Sequence, residues 1–257
     1  MTEAKTPISS DRDLTGRTAI VTGAARGMGL AVCEVLAAAG ADVAPVDLLA
    51  LDDAVAAIEA RGRKAFPRQL DVSDRDAVQA GVAEVARAAG RIDVLVTCAA
   101  ITGATPELTA GMDTLTPEDV DAVLAVNLKG AMWFIQAALP YLRETGGNIV
   151  CIGSAAAKMG GLFSSAHYVA SKGGVHSLVK WVARHGAEHA VRANAIAPGF
   201  VDTDMTRGFP RAPGTTALVG REGHVDDIAY AVRFLVSDQA NFITGTVLDV
   251  NGGALMD

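Results

Sequence analysis

Thr18-Ala19-Ile20-Val21-Thr22-Gly23-Ala24-Ala25-Arg26-Gly27-Met28-Gly29 is the stretch on which the fold turns. Thr18–Thr22 is β-prone and runs directly into a glycine-rich turn. Beyond it Val32, Val35, Leu36 and Ala39 fall at i, i+3, i+4 and i+7, one apolar helical face, so 27–39 reads as a helix. Gly40 is placed to stop it. A strand, a glycine turn and a helix in that order let the backbone approach a pyrophosphate held at the helix N-terminus. The spacing is G-x-x-x-G-x-G, a weak motif alone that gains weight from the strand before it and the helix after it.

Outward from this unit, strands and helices alternate to the end of the chain. Asp42–Asp47 reads as the second strand, with local distortion expected at Pro45, which has no ladder donor. A helix is expected over 51–61 and a third strand over 65–70. Ser73 with Asp76 resembles a capping box opening a helix to Ala89. A fourth strand spans 94–98. Thr116-Pro117-Glu118-Asp119 opens a helix reaching about Leu142. Strands at 148–152, 192–196 and 246–250 alternate with helices at 168–185 and 226–236. The inner strands are nearly continuous apolar runs, which suits a parallel sheet covered on both faces. The expected fold is α/β: one domain over 14–257 with a doubly wound parallel sheet of about seven strands and helices on both faces. Residues 1–13 are expected to be a flexible segment. Residues 204–221, with Gly208, Pro210, Pro213 and Gly214, read as a long functional loop.

The composition narrows the function. The 257 residues carry 22 Lys plus Arg against 29 Asp plus Glu, a formal net charge of −7. An acidic chain disfavours nucleic-acid binding. No uninterrupted apolar run approaches the roughly 18 residues of a membrane span. The N-terminal residues are polar, without a signal-like apolar stretch. Cys33, Cys98 and Cys151 read as buried thiols of a reducing, cytoplasmic compartment.

Asp47 closes the second strand, 18 residues after Gly29. An acid there can accept hydrogen bonds from the adenosine ribose and repels a 2′-phosphate. At about 4 Å and an effective dielectric near 20, that repulsion is on the order of 4 kcal/mol before screening. NAD is therefore expected over NADP, although Arg26 in the glycine loop argues weakly for NADP. Leu48 beside Asp47, and Asp71 and Val72 after the third strand, are candidates for the adenosine side. Tyr168 and Lys172 stand four apart on one helical face, about 6 Å along the axis. A phenol near pKa 10 is a poor base at neutral pH unless a nearby ammonium favours the phenolate. Ser154 after the fifth strand is placed to hold a substrate oxygen beside Tyr168.

These residues, with Asn127 and the Pro198-Gly199 turn, resemble the short-chain dehydrogenase/reductase family, in its 3-oxoacyl reductase-like subgroup. The resemblance runs from about Leu14 to Gly253. It implies a Rossmann fold and hydride transfer between NAD(H) and a secondary alcohol or ketone. It implies Tyr168 as acid/base, Ser154 orienting the carbonyl, Lys172 on the nicotinamide ribose, and Asn127 holding a relay water. It places Gly23, Arg26, Gly27, Met28, Gly29, Asp47, Leu48, Asp71, Val72, Ala99, Ala100, Pro198, Gly199, Val201 and Thr203 on the cofactor, with Tyr168 and Lys172. It also implies a lid over 204–221 and a homotetramer. The usual Asn-Asn-Ala-Gly turn is Thr97-Cys98-Ala99-Ala100 here, a departure that bears on the local cofactor fit. Alternatives are an NADPH-dependent 3-oxoacyl thioester reductase docking an acyl carrier protein and, from another class, a non-catalytic NAD sensor.

Weaker signals remain. His185-Gly186-Ala187-Glu188-His189 matches H-x-x-E-H, but Gly186 falls where the helix should end, so no metal is expected. Ala156, Phe163, His167 and Phe200 are candidates to line the substrate pocket, as is Met159. His176 reads as a surface or intersubunit residue. Trp133 and Trp181 read as tetramer contacts or ordinary core.

Overall fold

The computed structural model describes residues 13–103, 112–161, 164–209 and 217–256. Seven strands form a single parallel sheet: β1 (Thr18–Thr22), β2 (Asp42–Asp47), β3 (Arg68–Gln69), β4 (Val94–Thr97), β5 (Asn148–Ile152), β6 (Arg192–Pro198) and β7 (Val247–Val250). Their order across the sheet is β3-β2-β1-β4-β5-β6-β7. The direction of winding reverses between β1 and β4, and in open α/β sheets that switch point opens a ligand crevice at the carboxyl ends of the strands.

Side chains alternate between the two faces of each strand, and the core divides accordingly. Ala19, Val21, Val94, Val96 and Val150 pack against α1 (Gly27–Ala38) and α8 (Val225–Val236). Ile20, Leu95, Ile149 and Cys151 pack against α3 (Arg75–Ala89), α5 (Ala131–Thr145) and α7 (Ala166–Gly186). Fully burying an aliphatic side chain such as Ile20 or Leu95 contributes about 1.5–3 kcal/mol, so the apolar strand runs hold the sheet between its helices. The shorter α2 (Asp52–Glu59) packs on α1.

Several boundaries differ from the sequence expectation for local reasons. The third strand shrinks to Arg68–Gln69, preceded by a lone bridge between Val43 and Ala65. Val43 N–H bonds Lys64 O, and Leu70 N–H bonds Asp47 O, so residues 43, 45 and 47 face β3. Pro45 stands where the next N–H toward β3 is due, which splits the pairing there. The N-cap of α3 is Asp74, whose carboxylate accepts from Asp76 and Ala77 N–H, while Ser73 donates to Asp71. The helix opened by Thr116 is α4 (Pro117–Leu124), with its capping box to Asp119 in place. It then passes through a π-helical turn, Ala125–Gly130, into α5. Together Pro117–Thr145 is one helical run of 29 residues, apolar enough on average to cross a bilayer. Here it packs against α3, α7 and the sheet, and it carries the buried Asn127. The expected flexible segment falls almost wholly outside the described residues, as do 210–216 of the expected lid.

Candidate active site

A cleft of about 350 Å³ opens at the carboxyl ends of β1, β2 and β4. Its floor is the glycine turn. Gly23 has φ +67°, and a Cβ there would fall 2.7 Å from Ala99 N. A Cβ on Gly29 would fall 2.0 Å from Gly23 O, so the turn closes only on bare backbone. The N-terminus of α1 faces this turn with no side-chain cap. Uncapped first-turn N–H groups are what an anion uses. The cradle therefore fits a dinucleotide pyrophosphate.

Asp47 sits on the cleft wall. Its Oδ2 accepts from Ala25 N–H and its Oδ1 from Leu49 N–H, both at 3.0 Å. Those bonds fix the carboxylate while each oxygen keeps a lone pair for a ribose hydroxyl. Arg26 reaches the other way, 3.4 Å from Asp204, which also pairs with Arg207 at 2.8 Å. The guanidinium that argued for NADP thus lies beside a carboxylate.

The altered turn after β4 is held from outside itself. Thr22 Oγ1 accepts from Cys98 N–H at 3.0 Å and from Ala99 N–H at 3.1 Å. Thr97 instead hydrogen-bonds the Cys151 thiol. Ala100 has no positive φ, so its methyl costs no backbone strain. The departure from Asn-Asn-Ala-Gly is accommodated.

Ser154, Tyr168 and Lys172 meet at the exit of β5. The Ser154 hydroxyl hydrogen-bonds Tyr168, and it accepts from Ala156 N–H at 3.1 Å. Lys172 donates to Ile152 O at 2.8 Å, and its Nζ lies 5.8 Å from the centre of the Tyr168 ring. Burial raises the Tyr168 phenol above its usual value, and the Ser154 bond opposes that. Burial also pulls Lys172 down to about 8. Cys98, half-buried on the cleft wall, faces both groups electrostatically and joins the trio to the cleft. Asn127, on the π-helical turn, clasps the chain after β4. It accepts from Ile101 N–H at 2.8 Å and donates to Ile101 O at 2.9 Å and to Ser171 Oγ at 3.1 Å.

Of the expected cofactor residues, Gly23, Arg26, Gly27, Met28, Gly29, Asp47, Leu48, Asp71, Val72, Ala99, Ala100 and Thr203 line this cleft. Pro198, Gly199, Val201, Tyr168 and Lys172 do not: Pro198 O accepts from Ala155 N–H, Gly199 packs on Asn251, Val201 is buried, and Tyr168 and Lys172 meet Ser154 and Ile152 at the exit of β5. Ala156 opens the short α6 (Ala156–Met159) beside Ser154. Two of the residues expected to line the substrate pocket lie outside this cleft. His167 is buried against Gly103, and Phe200 lines a separate cleft with Val219 and Gly252. Phe163 lies outside the described residues. His176 is not at the surface but is buried against Gly153. His185 stacks on Trp181 at 4.0 Å, and among the described residues no three acids, histidines and cysteines cluster as metal ligands. Trp181 is exposed, whereas Trp133 lies under Arg75. Thr22, Cys98 and Ile101 are not among the expected site residues, and Asp204 is expected only as the start of the lid. A hydroxyl immediately before the first turn glycine was the available signal for Thr22.

The fold and these side chains define a dinucleotide-binding oxidoreductase. The profile of the family described as enoyl-(acyl carrier protein) reductase matches residues 23–254. The 3-oxoacyl-[acyl-carrier-protein] reductase FabG of Thermotoga maritima is 37% identical over 250 residues, 95% of this chain and 99% of that protein. The crystal structure of gox2181 superposes with a TM-score of 0.85 at 33% identity, covering 95% of this chain and 97% of that one. A short-chain dehydrogenase from Mycobacterium paratuberculosis bound to NAD gives 0.85 at 30% identity, covering 94% and 98%. The chain belongs to the short-chain dehydrogenase/reductase family, whose members bind NAD(P).

Proposed function

We propose that this oxidoreductase is NAD(H)-dependent and interconverts a secondary alcohol and its ketone, with Tyr168 as general acid/base. The observation that carries the reading is the Ser154–Tyr168 hydrogen bond with Lys172 behind it, beside the dinucleotide cradle. Ser154 holds the substrate oxygen. Tyr168 gives its proton to a ketone oxygen or takes one from an alcohol. The Lys172 ammonium favours the phenolate and holds the nicotinamide ribose. Asn127, fixed on Ile101 and Ser171, holds a water on the proton path behind Lys172. When bound, the nicotinamide supplies or takes up the hydride. Asp47 selects NAD by meeting the adenosine ribose and repelling a 2′-phosphate. Pro198, Gly199, Val201 and Thr203 take the nicotinamide side, with residues 204–221 as the lid over the substrate. A cytoplasmic homotetramer is the expected form.

A second reading is a 3-oxoacyl thioester reductase using NADPH. The 37% identity to a protein of that name favours it. The acidic chain and the Arg26–Asp204 contact weigh against it. The test is initial rates on a panel of ketones, secondary alcohols and an acetoacetyl thioester, with NAD(H) and NADP(H) in parallel. NAD(H)-linked turnover of plain ketones or alcohols is expected. Preference for NADPH with the thioester would install the second reading, and cofactor binding without turnover would indicate a sensor.

A further inference from the structure

Tyr168, Lys172 and His176 stand at i, i+4 and i+8 on α7, so they form one stripe facing the exit of β5. Each meets a different residue of that exit. Lys172 donates to Ile152 O, the Tyr168 phenol meets the Ser154 hydroxyl, and His176 closes on the two residues between and beside them. Its Nε2 accepts from Ser154 N–H at 3.4 Å. The same ring edge presses on Gly153, where a Cβ would fall 2.2 Å from Nε2. His176 is 8% exposed, so this contact is made in the interior. On either side the chain is tied to β6: Gly153 N–H bonds Ile196 O and Ala155 N–H bonds Pro198 O. Ser154 N–H, between them, is met by the imidazole.

We propose that His176 is a positioning residue for the reaction: as a neutral imidazole accepting at Nε2, it fixes the backbone of Ser154 and thereby aims the Ser154 hydroxyl at the substrate oxygen. The inference rests on the role given to Ser154 above. An acceptor at Nε2 requires the Nδ1–H tautomer, because a protonated ring has no acceptor left. The surroundings keep the ring neutral. Burial dominates, Lys158 on α6 and Lys172 and Lys180 on α7 oppose a further positive charge, and Asp249 on β7 favours one. The net effect lowers the imidazole to about 4. Asp249 is itself paired with Lys158 at 2.5 Å, which limits its pull on the ring. Without the acceptor, Ser154 N–H loses its bond in a mostly buried site, and the loop gains freedom at the atom that must hold the carbonyl. A displacement of about 1 Å at such a group can cost about a hundredfold in rate.

The test compares wild type, His176→Leu, His176→Gln and Ser154→Ala, with ethyl acetoacetate and NADH as the probe pair. NADH affinity is read by fluorescence and folding by thermal melting. His176→Leu is expected to lower kcat about ten- to a hundredfold with NADH affinity within about twofold. His176→Gln, which restores an acceptor, is expected to recover most of that loss. Equal loss in Leu and Gln, or kcat within about twofold of wild type in Leu, overturns the proposal. If Ser154→Ala leaves kcat unchanged, the role of Ser154 fails instead, which separates the two claims. Nitrogen-15 NMR of His176 at pH 6, its ring signals assigned among the five histidines by their loss in His176→Gln, needs no substrate. A protonated Nδ1 with a bare Nε2 is expected, and a proton on Nε2 overturns the proposal.

Discussion

Replacing Lys172 by methionine removes a charge that the fold resists. The ammonium is buried beneath Tyr168, and burial pulls its pKa from 10.5 to about 8. In the unfolded chain the group returns to its ordinary value. Between those two values the unfolded state holds the proton and the folded state does not, so the Lys172 contribution to stability rises with pH across that window, while the buried thiols, which titrate alike in both proteins, cancel in the comparison. The contribution is fully present above 10.5 and is lost as the pH falls through about 8. Linkage over the interval from pH 7 to 10 gives about 2–3 kcal/mol. Lys172→Met lacks the term. It also loses the bond to Ile152 O, which costs about 1–3 kcal/mol but does so at every pH. Urea unfolding of both apo proteins at pH 7, 8, 9 and 10 separates these effects. The wild type should gain on the variant by about 2–3 kcal/mol over the series. Parallel stability curves would refute the assigned burial of a charged Lys172.

Three further outcomes follow from the cleft. Gly29→Ala forces a methyl onto the Gly23 carbonyl, so it should cost about 1–3 kcal/mol in urea unfolding and weaken NADH binding; unchanged affinity would place the pyrophosphate elsewhere. Thr22→Val strips the acceptor from Cys98 and Ala99 N–H, and should lose about 1–3 kcal/mol together with NADH affinity; a neutral result would mean the turn holds itself. Asp47→Ala should shift the ratio of NAD to NADP kcat/KM toward NADP by about tenfold or more, less than the unscreened Coulomb figure because the cleft is open to solvent. An unmoved ratio would take Asp47 off the ribose.

Periodicity and glycine placement made the sheet and its crevice legible, because apolar strand runs and a tight strand-to-helix turn are local properties. Pro45 was readable as a distortion, but only the register showed that its missing donor points at β3. The π-helical turn at Ala125–Gly130 leaves no period in the residues, yet it carries Asn127. The cap of α3 went to Asp74 over Ser73 because two neighbouring polar residues offer the same chemistry one position apart. Tyr168 and Lys172 were legible as a pair. Extending their spacing one more turn reaches His176, a signal passed over because an isolated histidine carries no motif. His167 and Phe200 are expected at the pocket from their neighbours in sequence; the structure sets His167 against Gly103 and Phe200 beside Val219 and Gly252, placements that depend on contacts distant in sequence.

The central claim is that the Tyr168 phenol moves the proton. Single-turnover rates of Tyr168→Phe with a ketone that wild type reduces, measured beside NADH titration, test it most directly. The substitution removes only the hydroxyl and leaves the ring that packs over Lys172. Loss of a positioned acid/base is expected to lower the rate by about 10²–10⁴-fold or more, with NADH affinity nearly unchanged. A rate close to wild type in a variant that still binds NADH would contradict the account.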